Sequence, residues 1–270
     1  MRSKIFILLA IAPLAGVPLK AQAAITLGSA GNFAVLAGST VTNTGNTVIN
    51  NGNVGVSPGT AITGFPPGTI KAPYATDMGD AAAAQAQTDL TSAYNAAAGL
   101  APTQTLTGTD LGGLTLTPGV YFFASSAQLT GTLTLNEQGN SDAQFVFQIG
   151  STLTTASASS VVSINTGSTP DCNVFWQVGS SATLGTTTAF EGHILALTSI
   201  TMNTGATIAD GSALASNGAV TLDANTITNC ASSISPLAVP QPATLPLVFL
   251  GTMLLALPAL AMRTRKLHSH

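Results

Sequence analysis

Charge is nearly absent from this chain. Of its 270 residues only 6% are charged, against ~25% in ordinary soluble domains. The seven basic residues are Arg2, Lys4, Lys20, Lys71, Arg263, Arg265 and Lys266, so residues 24–236 hold one Lys and no Arg. Such a stretch cannot bind nucleic acid by neutralising phosphates, nor grip carboxylates with a guanidinium fork. At 45% hydrophobic residues it is not a charged, disordered chain either. Histidine is scarce: His193 is the one His before the last eight residues. It begins an expected strand and reads as a surface or edge residue. The acids Asp110, Glu137, Asp142, Asp171, Glu191, Asp210 and Asp223 are scattered along the sequence. A polysaccharide-cleaving enzyme needs paired carboxylates or a placed base, and no Gly-x-Ser-x-Gly elbow or Cys–His pair is present. The sequence therefore argues against an enzyme, and nothing in it calls for a cofactor. The oxygen-rich run Asn136–Asp142 lacks the spacing of a calcium loop and reads as a turn.

Both termini read as addresses. Arg2 and Lys4, an apolar core from Ile5 to Val17 and Ala21-Gln22-Ala23 predict a signal peptide over residues 1–23, cleaved after Ala23. Residues 236–244 are a Pro-rich linker, 245–262 an apolar segment just long enough to span a membrane, and 263–270 a basic tail. The order Val239-Pro240-Gln241-Pro242-Ala243-Thr244, apolar segment, basic end resembles a PEP-CTERM sorting signal, with Gln241 where that family has Glu. The resemblance implies processing by an exosortase and a Gram-negative source. A permanent tail anchor is the alternative. In an exported protein, Cys172 and Cys230 are expected to form a disulfide. A closed loop of this length stabilises by about 4 kcal/mol at the upper end. Two Cys with no ligand-spaced His cannot make a zinc site.

What the chain does have is threonine, 39 of them, and a repeat. Three runs, FWQVGSSATLGTTTAFEG, HILALTSITMNTGATIADG and SALASNGAVTLDANTITN, each read as three short strands. Their middle strands are Ser181–Gly185, Ser199–Asn203 and Ala219–Asp223. Alternation turns Leu184, Met202 and Leu222 inward and Thr183, Thr201 and Thr221 outward on one face. Steps of 18 and 20 residues suit one turn of a three-sided β-solenoid. Thr152 before Leu153 and Gln128 before Leu129 extend the pattern, and Phe33–Ala37 with Ser39–Asn43 begins another coil, Thr40 and Thr42 outward. With aromatics at 5%, the interior is expected to hold small and branched side chains. The exception to the strands is Thr76–Ala98, an Ala-rich helix with Asp77 and Asp80 in its first turns and Gly99 as its C′ residue. Its stripe of Met78, Ala82, Gln85/Ala86, Leu90/Ala93 and Ala97 is expected to cover an apolar side of the solenoid.

The ordered segments LGSAGNFAVLAGSTVT, NVGVSPGTAITGF, GGLTLTPGVYFF, FVFQIGSTL, NVFWQVGSSATLG, FEGHILALTSITMNTGAT and GAVTLDANTIT resemble the microbial ice-binding protein family over about Ile25–Asn229. The resemblance implies an irregular right-handed β-solenoid of triangular section, all-β with one long helix alongside, whose first coil packs beside the last ones. It also implies one flat ice-binding face, antifreeze or recrystallisation-inhibiting activity, and ice as the partner; a monomer is expected. The family pattern Thr-(Ala/Gly)-x-(Thr/Asn) occurs at Thr44–Thr47, Thr60–Thr63, Thr166–Thr169 and Thr204–Thr207. The expected site is Thr40, Thr42, Thr152, Ser181, Thr183, Ser199, Thr201, Asn203, Thr204, Thr207 and Thr221. A neighbouring face with Thr186, Thr188, Thr207 and Thr226 is the rival location. An exported structural or adhesive surface module is the rival function. A sugar-binding module would expose aromatics, and strand alternation leaves open which way Trp176 points.

Overall fold

The computed structural model describes residues 24–167 and 172–230. The signal peptide, the linker, the sorting segment, Asp171 and half of the Thr166–Thr169 motif lie outside them. The described chain winds into coils of three short strands, and every strand pairing is parallel. Corresponding strands stack into three sheets. The first runs, in stacking order, 76–78, 53–56, 33–37, 213–215, 193–196, 174–178, 145–149, 119–123 and 104–105. The second runs 127–129, 153–155, 182–184, 200–202, 220–223, 40–44 and 61–63, and the third runs from 69–70 to 115–116. The order departs from the chain. The coil of 33–50 sits on the last coil, with Val35 against Ala213, Thr42 against Thr221 and Ile49 against Ile227.

Coils this close leave no room for side chains at some corners. A Cβ on Gly59 would lie 1.8 Å from the Ser39 carbonyl oxygen, and one on Gly38 would lie 2.3 Å from that of Ser216. Inside, the apolar residues of all three sheets form one core. Its bulk is uneven, which corrects the expectation of small side chains throughout. On the first sheet Tyr121, Phe147 and Trp176 stack in succession at centroid distances of 5.4 and 3.8 Å, and Phe190 of the third sheet meets Trp176 at 4.8 Å, tilted by 46°. The last and first coils fill the first sheet with Ala213, Ala215, Val35 and Ala37. Coil length follows bulk. Facing residues lie 26 to 29 apart in sequence among the aromatic coils and 18 to 20 apart in the later ones. Trp176 is fully buried, its Nε1–H donated to the Glu191 carbonyl at 3.0 Å.

The first sheet is apolar on its outer side too. Leu36, Val120, Val146, Phe175, Leu195 and Leu214 form a second core with the helix Ala81–Ala98. The helix starts later than the sequence suggests, because Thr76–Met78 is a strand closing the sheet's end. Asp80 is the N-cap, accepting the Ala83 N–H at 2.9 Å. The buried stripe is Ala83, Ala86, Leu90, Ala93 and Ala97, while Met78 and Ala82 are exposed. Gly99 ends the helix at φ −83°, outside the left-handed region. The end is held instead by buried Gln148, which donates from Nε2 to the carbonyls of Ala97 and Leu100 at 2.8 Å each. Midway along the helix, Asp89 accepts the Ser29 N–H at 2.7 Å and the Ser29 hydroxyl at 2.6 Å.

His193 is buried, not at the surface. It extends the outer side of the first sheet, its ring 5.5 Å from that of Phe175. Nδ1 shares a hydrogen bond with Ser212 Oγ at 2.8 Å, and Nε2 lies 3.5 Å from Cys230 Sγ. The Cys172–Cys230 disulfide is present and closes over it, tying residues 58 apart.

Two measurements test this packing. Burial pushes the His193 imidazole down to about 4 from an ordinary 6.5. The unfolded chain therefore takes up a proton that the folded one refuses, and stability falls as pH drops from 6.5 to 4, by about 3 kcal/mol. Burial raises Glu137, Glu191 and Asp210, with like-charge repulsion adding to Glu191. These acids act with the opposite sign. The difference in denaturation free energy between wild type and His193→Gln isolates the histidine, and should shrink across that window. Replacing Gln148 by Met leaves the Leu100 carbonyl without its donor and should cost about 1–2 kcal/mol in the same assay.

Candidate functional site

The second sheet carries one outward position per coil at its centre. Pairing puts Gln128, Thr154, Thr183, Thr201, Thr221, Thr42 and Thr63 in a single row. No pairing in this sheet shows a register shift. At ~4.8 Å per step the row is about 29 Å long. Within the strands the members stand between inward residues, as Thr201 does between Ile200 and Met202. Five of these side chains are exposed, and Thr183 and Thr201 are half-buried. Thr42 donates to the Thr221 hydroxyl at 3.5 Å across the junction of the first and last coils.

The sequence assigned one rung wrongly. Thr154, not Thr152, faces Thr183. Inward Thr155 stands where neighbouring coils have Leu129, Leu184, Met202 and Leu222, so Leu153 matches Ala182 rather than Leu184. Buried Thr155 satisfies its hydroxyl with Thr188 Oγ1 at 2.8 Å and accepts the Gly185 N–H at 2.8 Å. Thr152 falls into a second row at the strands' entry, where it donates to Ser126 Oγ at 2.8 Å. Ser181, Ser199 and Thr40 belong there, with Ser181 and Ser199 accepting the N–H groups of Ser199 and Ala219. Thr63 was quoted within a motif but not placed in the row. Its signal was the run Ala61-Ile62-Thr63, which repeats the outward-inward-outward order of Thr40-Val41-Thr42.

Other candidates lie off this row. Asn203 follows the strand of Thr201 at the exit side, and Thr204 is in the turn beyond, its hydroxyl donated to the Asp223 carboxylate. Thr207 is on the third sheet, opposite Ala189 and Thr226. That sheet is chemically mixed, with Thr132, Ser160, Ala189, Thr207, Thr226, Val48 and Thr69 in corresponding positions. Of the rival set, Thr188 is fully buried. The same sheet gathers acids that the sequence leaves scattered. Glu191 accepts from Ser163 and lies close enough to Asp210 and Glu137 to feel both, its carboxyl raised chiefly by burial. Among the described residues no group of three or more His, Cys, Asp or Glu is placed to hold a metal ion.

The family model described as ice-binding-like matches residues 35–228. An ice-binding protein of Nostoc sp. (strain HG1) is 57% identical over 228 residues, 84% of this chain and 82% of that protein. One from Colwellia sp. is 38% identical over 76% of this chain and 83% of its own. In solved structures, an ice-binding protein from an Antarctic biological consortium superposes with a TM-score of 0.73 at 48% identity, covering 82% of this chain and 96% of that one. One from the Antarctic ascomycete Antarctomyces psychrotrophicus gives 0.71 at 42% identity, over 77% and 99%. Whole-length relatives and a parallel three-sided fold thus agree, and the chain belongs to the ice-binding-like family.

Proposed function

We propose that the protein binds ice through its second sheet and acts as an exported antifreeze protein that restrains ice growth and recrystallisation. The observation that carries this is the unbroken Thr row. Ice presents a rigid lattice of oxygens with no net charge, so a partner must match it by spacing and shape. Rungs ~4.8 Å apart and outward neighbours ~6.6 Å apart along a strand supply a regular grid. Each Thr offers a methyl to sit in the lattice and a hydroxyl to join ordered water. Its β-branch limits χ1, which lowers the entropy lost on adsorption. Single contacts are weak, and affinity comes from many made together on a preorganised surface. Thr42, Thr63, Thr154, Thr183, Thr201 and Thr221 form the centre, with Thr40, Thr152, Ser181 and Ser199 beside them. The protein works as a monomer without catalytic activity.

Export through residues 1–23 belongs to the same proposal, and a mature N-terminus at Ala24 by mass spectrometry is the expected result. For the face, two tyrosines decide. Thr201→Tyr puts a bulky ring in the middle of the row, whereas Thr207→Tyr puts the same ring on the third sheet at comparable exposure. Wild type should shape ice crystals and slow recrystallisation. Thr201→Tyr should lose most of both, and Thr207→Tyr should keep them. The reverse pattern moves the site to the third sheet, and inactive wild type ends the ice reading.

A further inference from the structure

Asp223 is the one charged residue on the seven strands of the second sheet. It lies two residues along its strand from Thr221, hence on the same side of the sheet, and pairs with Thr44 of the first coil. Its side chain is partly exposed. On the other flank is the coil of Asn203, an uncharged amide, followed by Thr204. The exit side of the face thus offers Thr44, then a carboxylate, then Asn203. The carboxylate also takes the hydroxyl of Thr204.

The corner does not depend on that charge. Asp223 N–H goes to Asn225 Oδ1 at 2.6 Å, and the Asp223 carbonyl accepts the Gly205 N–H at 3.0 Å. Asn225 Nδ2 donates to the carbonyls of Asn203 and Ala206 at 2.9 and 3.0 Å. The Asn225 N–H goes to Thr47 Oγ1 at 3.0 Å. Backbone and Asn225 close the turn, and the Asp223 carboxylate adds one bond, to Thr204.

We propose that Asp223 sets the edge of the ice-binding face, holding its exit-side row out of contact with ice. The inference rests on the second sheet being that face. A carboxylate binds its water strongly and loses that hydration only at large cost. A lattice of uncharged oxygens returns no counter-charge. Ice that covered Thr44 and Asn203 would have to cover Asp223 between them, so adsorption stops at the central row there. Thr204 stays exposed in the turn, but its hydroxyl proton is engaged by the carboxylate and is not free for ice. The interruption is local: Thr44, one coil on, shows what an uncharged residue in the same position looks like.

The test compares thermal hysteresis of the full-length protein as wild type, Asp223→Asn, Asp223→Thr and Thr204→Val, at matched concentration and with melting temperatures recorded. Asp223→Asn keeps the volume and an acceptor for Thr204. Asp223→Thr copies Thr44. Both should raise hysteresis at least about twofold, while Thr204→Val, which keeps the charge, should not. Active wild type with folded Asp223 variants that are no better, or are worse, overturns this proposal alone. A rise in Thr204→Val equal to that in Asp223→Asn also overturns it, because the turn rather than the charge would then set the edge. Wild type that leaves ice unshaped overturns the reading of the face and this proposal with it.

Discussion

Everything on the second sheet depends on one pairing, that of the first coil with the last. Backbone N–H groups of Gly38 and Ser39 both reach the Gly218 carbonyl, at 3.0 and 3.1 Å, and Ala224 N–H reaches that of Thr44 at 2.9 Å. These bonds join residues some 180 apart in sequence, so a large loop-closure entropy is lost before they form. They are in register on all three sheets. A slip of one residue would turn every outward Thr of the first coil inward. The junction therefore fixes whether Thr42 and Thr63 continue the row of Thr221, Thr201 and Thr183 or stand apart from it. It also covers the open edge of the last coil, which would otherwise present unpaired backbone groups to other chains.

The helix decides which side of the solenoid is left free. The first sheet is apolar on both sides, as parallel strands buried on both faces are, and its outer Leu, Val and Phe residues need cover. The helix supplies small side chains to it: Ala83, Ala86, Ala93 and Ala97 around a single Leu90. Small residues let the helix lie close, and it is tied at its C-terminal end by Gln148 and at its middle by Asp89 with Ser29. With that sheet covered, the second and third remain open. Of these the second repeats one residue type on six successive coils, from Thr154 to Thr63.

Much of this was legible because period-2 alternation survives in short strands. Thr183, Thr201 and Thr221 were placed correctly from the apolar residues flanking them, and coil lengths of 18 and 20 residues gave the three-sided repeat. Legibility failed where a polar residue was buried. Thr155 and Thr188 face inward and satisfy each other's hydroxyls, so the alternation looked shifted by two and Thr152 stood in for Thr154. His193 was misjudged for a related reason. Its burial comes from the disulfide that crosses it and from a ring on the neighbouring coil, neither of which its own strand reveals. The helix start was marked locally by Gly79, at φ 64°, and by the N-cap Asp80, but that Thr76–Met78 becomes a strand follows only from the sheet edge at Val54–Val56 that it joins. Low aromatic content hid a concentrated stack, since an overall percentage says nothing about where the rings fall.

The buried polar residues also explain how a surface of short strands is kept in place. At the corner where the second sheet turns into the third, Thr47, Asn225, Thr188, Ser159 and Thr155 are all buried. Their side chains bond to one another and to turn carbonyls: Thr47 to Asn43, Asn225 to Ala206, Thr188 to Ala156 and Ser159 to Ala156. Among the described residues no buried side-chain nitrogen or oxygen lacks a partner. Such a bond is worth about 1 kcal/mol net, but breaking it leaves a costlier orphan. Each turn is thereby held to one arrangement. Strands of three residues, too short to be fixed by their own ladders, are fixed by their corners, and the outward Thr row inherits that fixity.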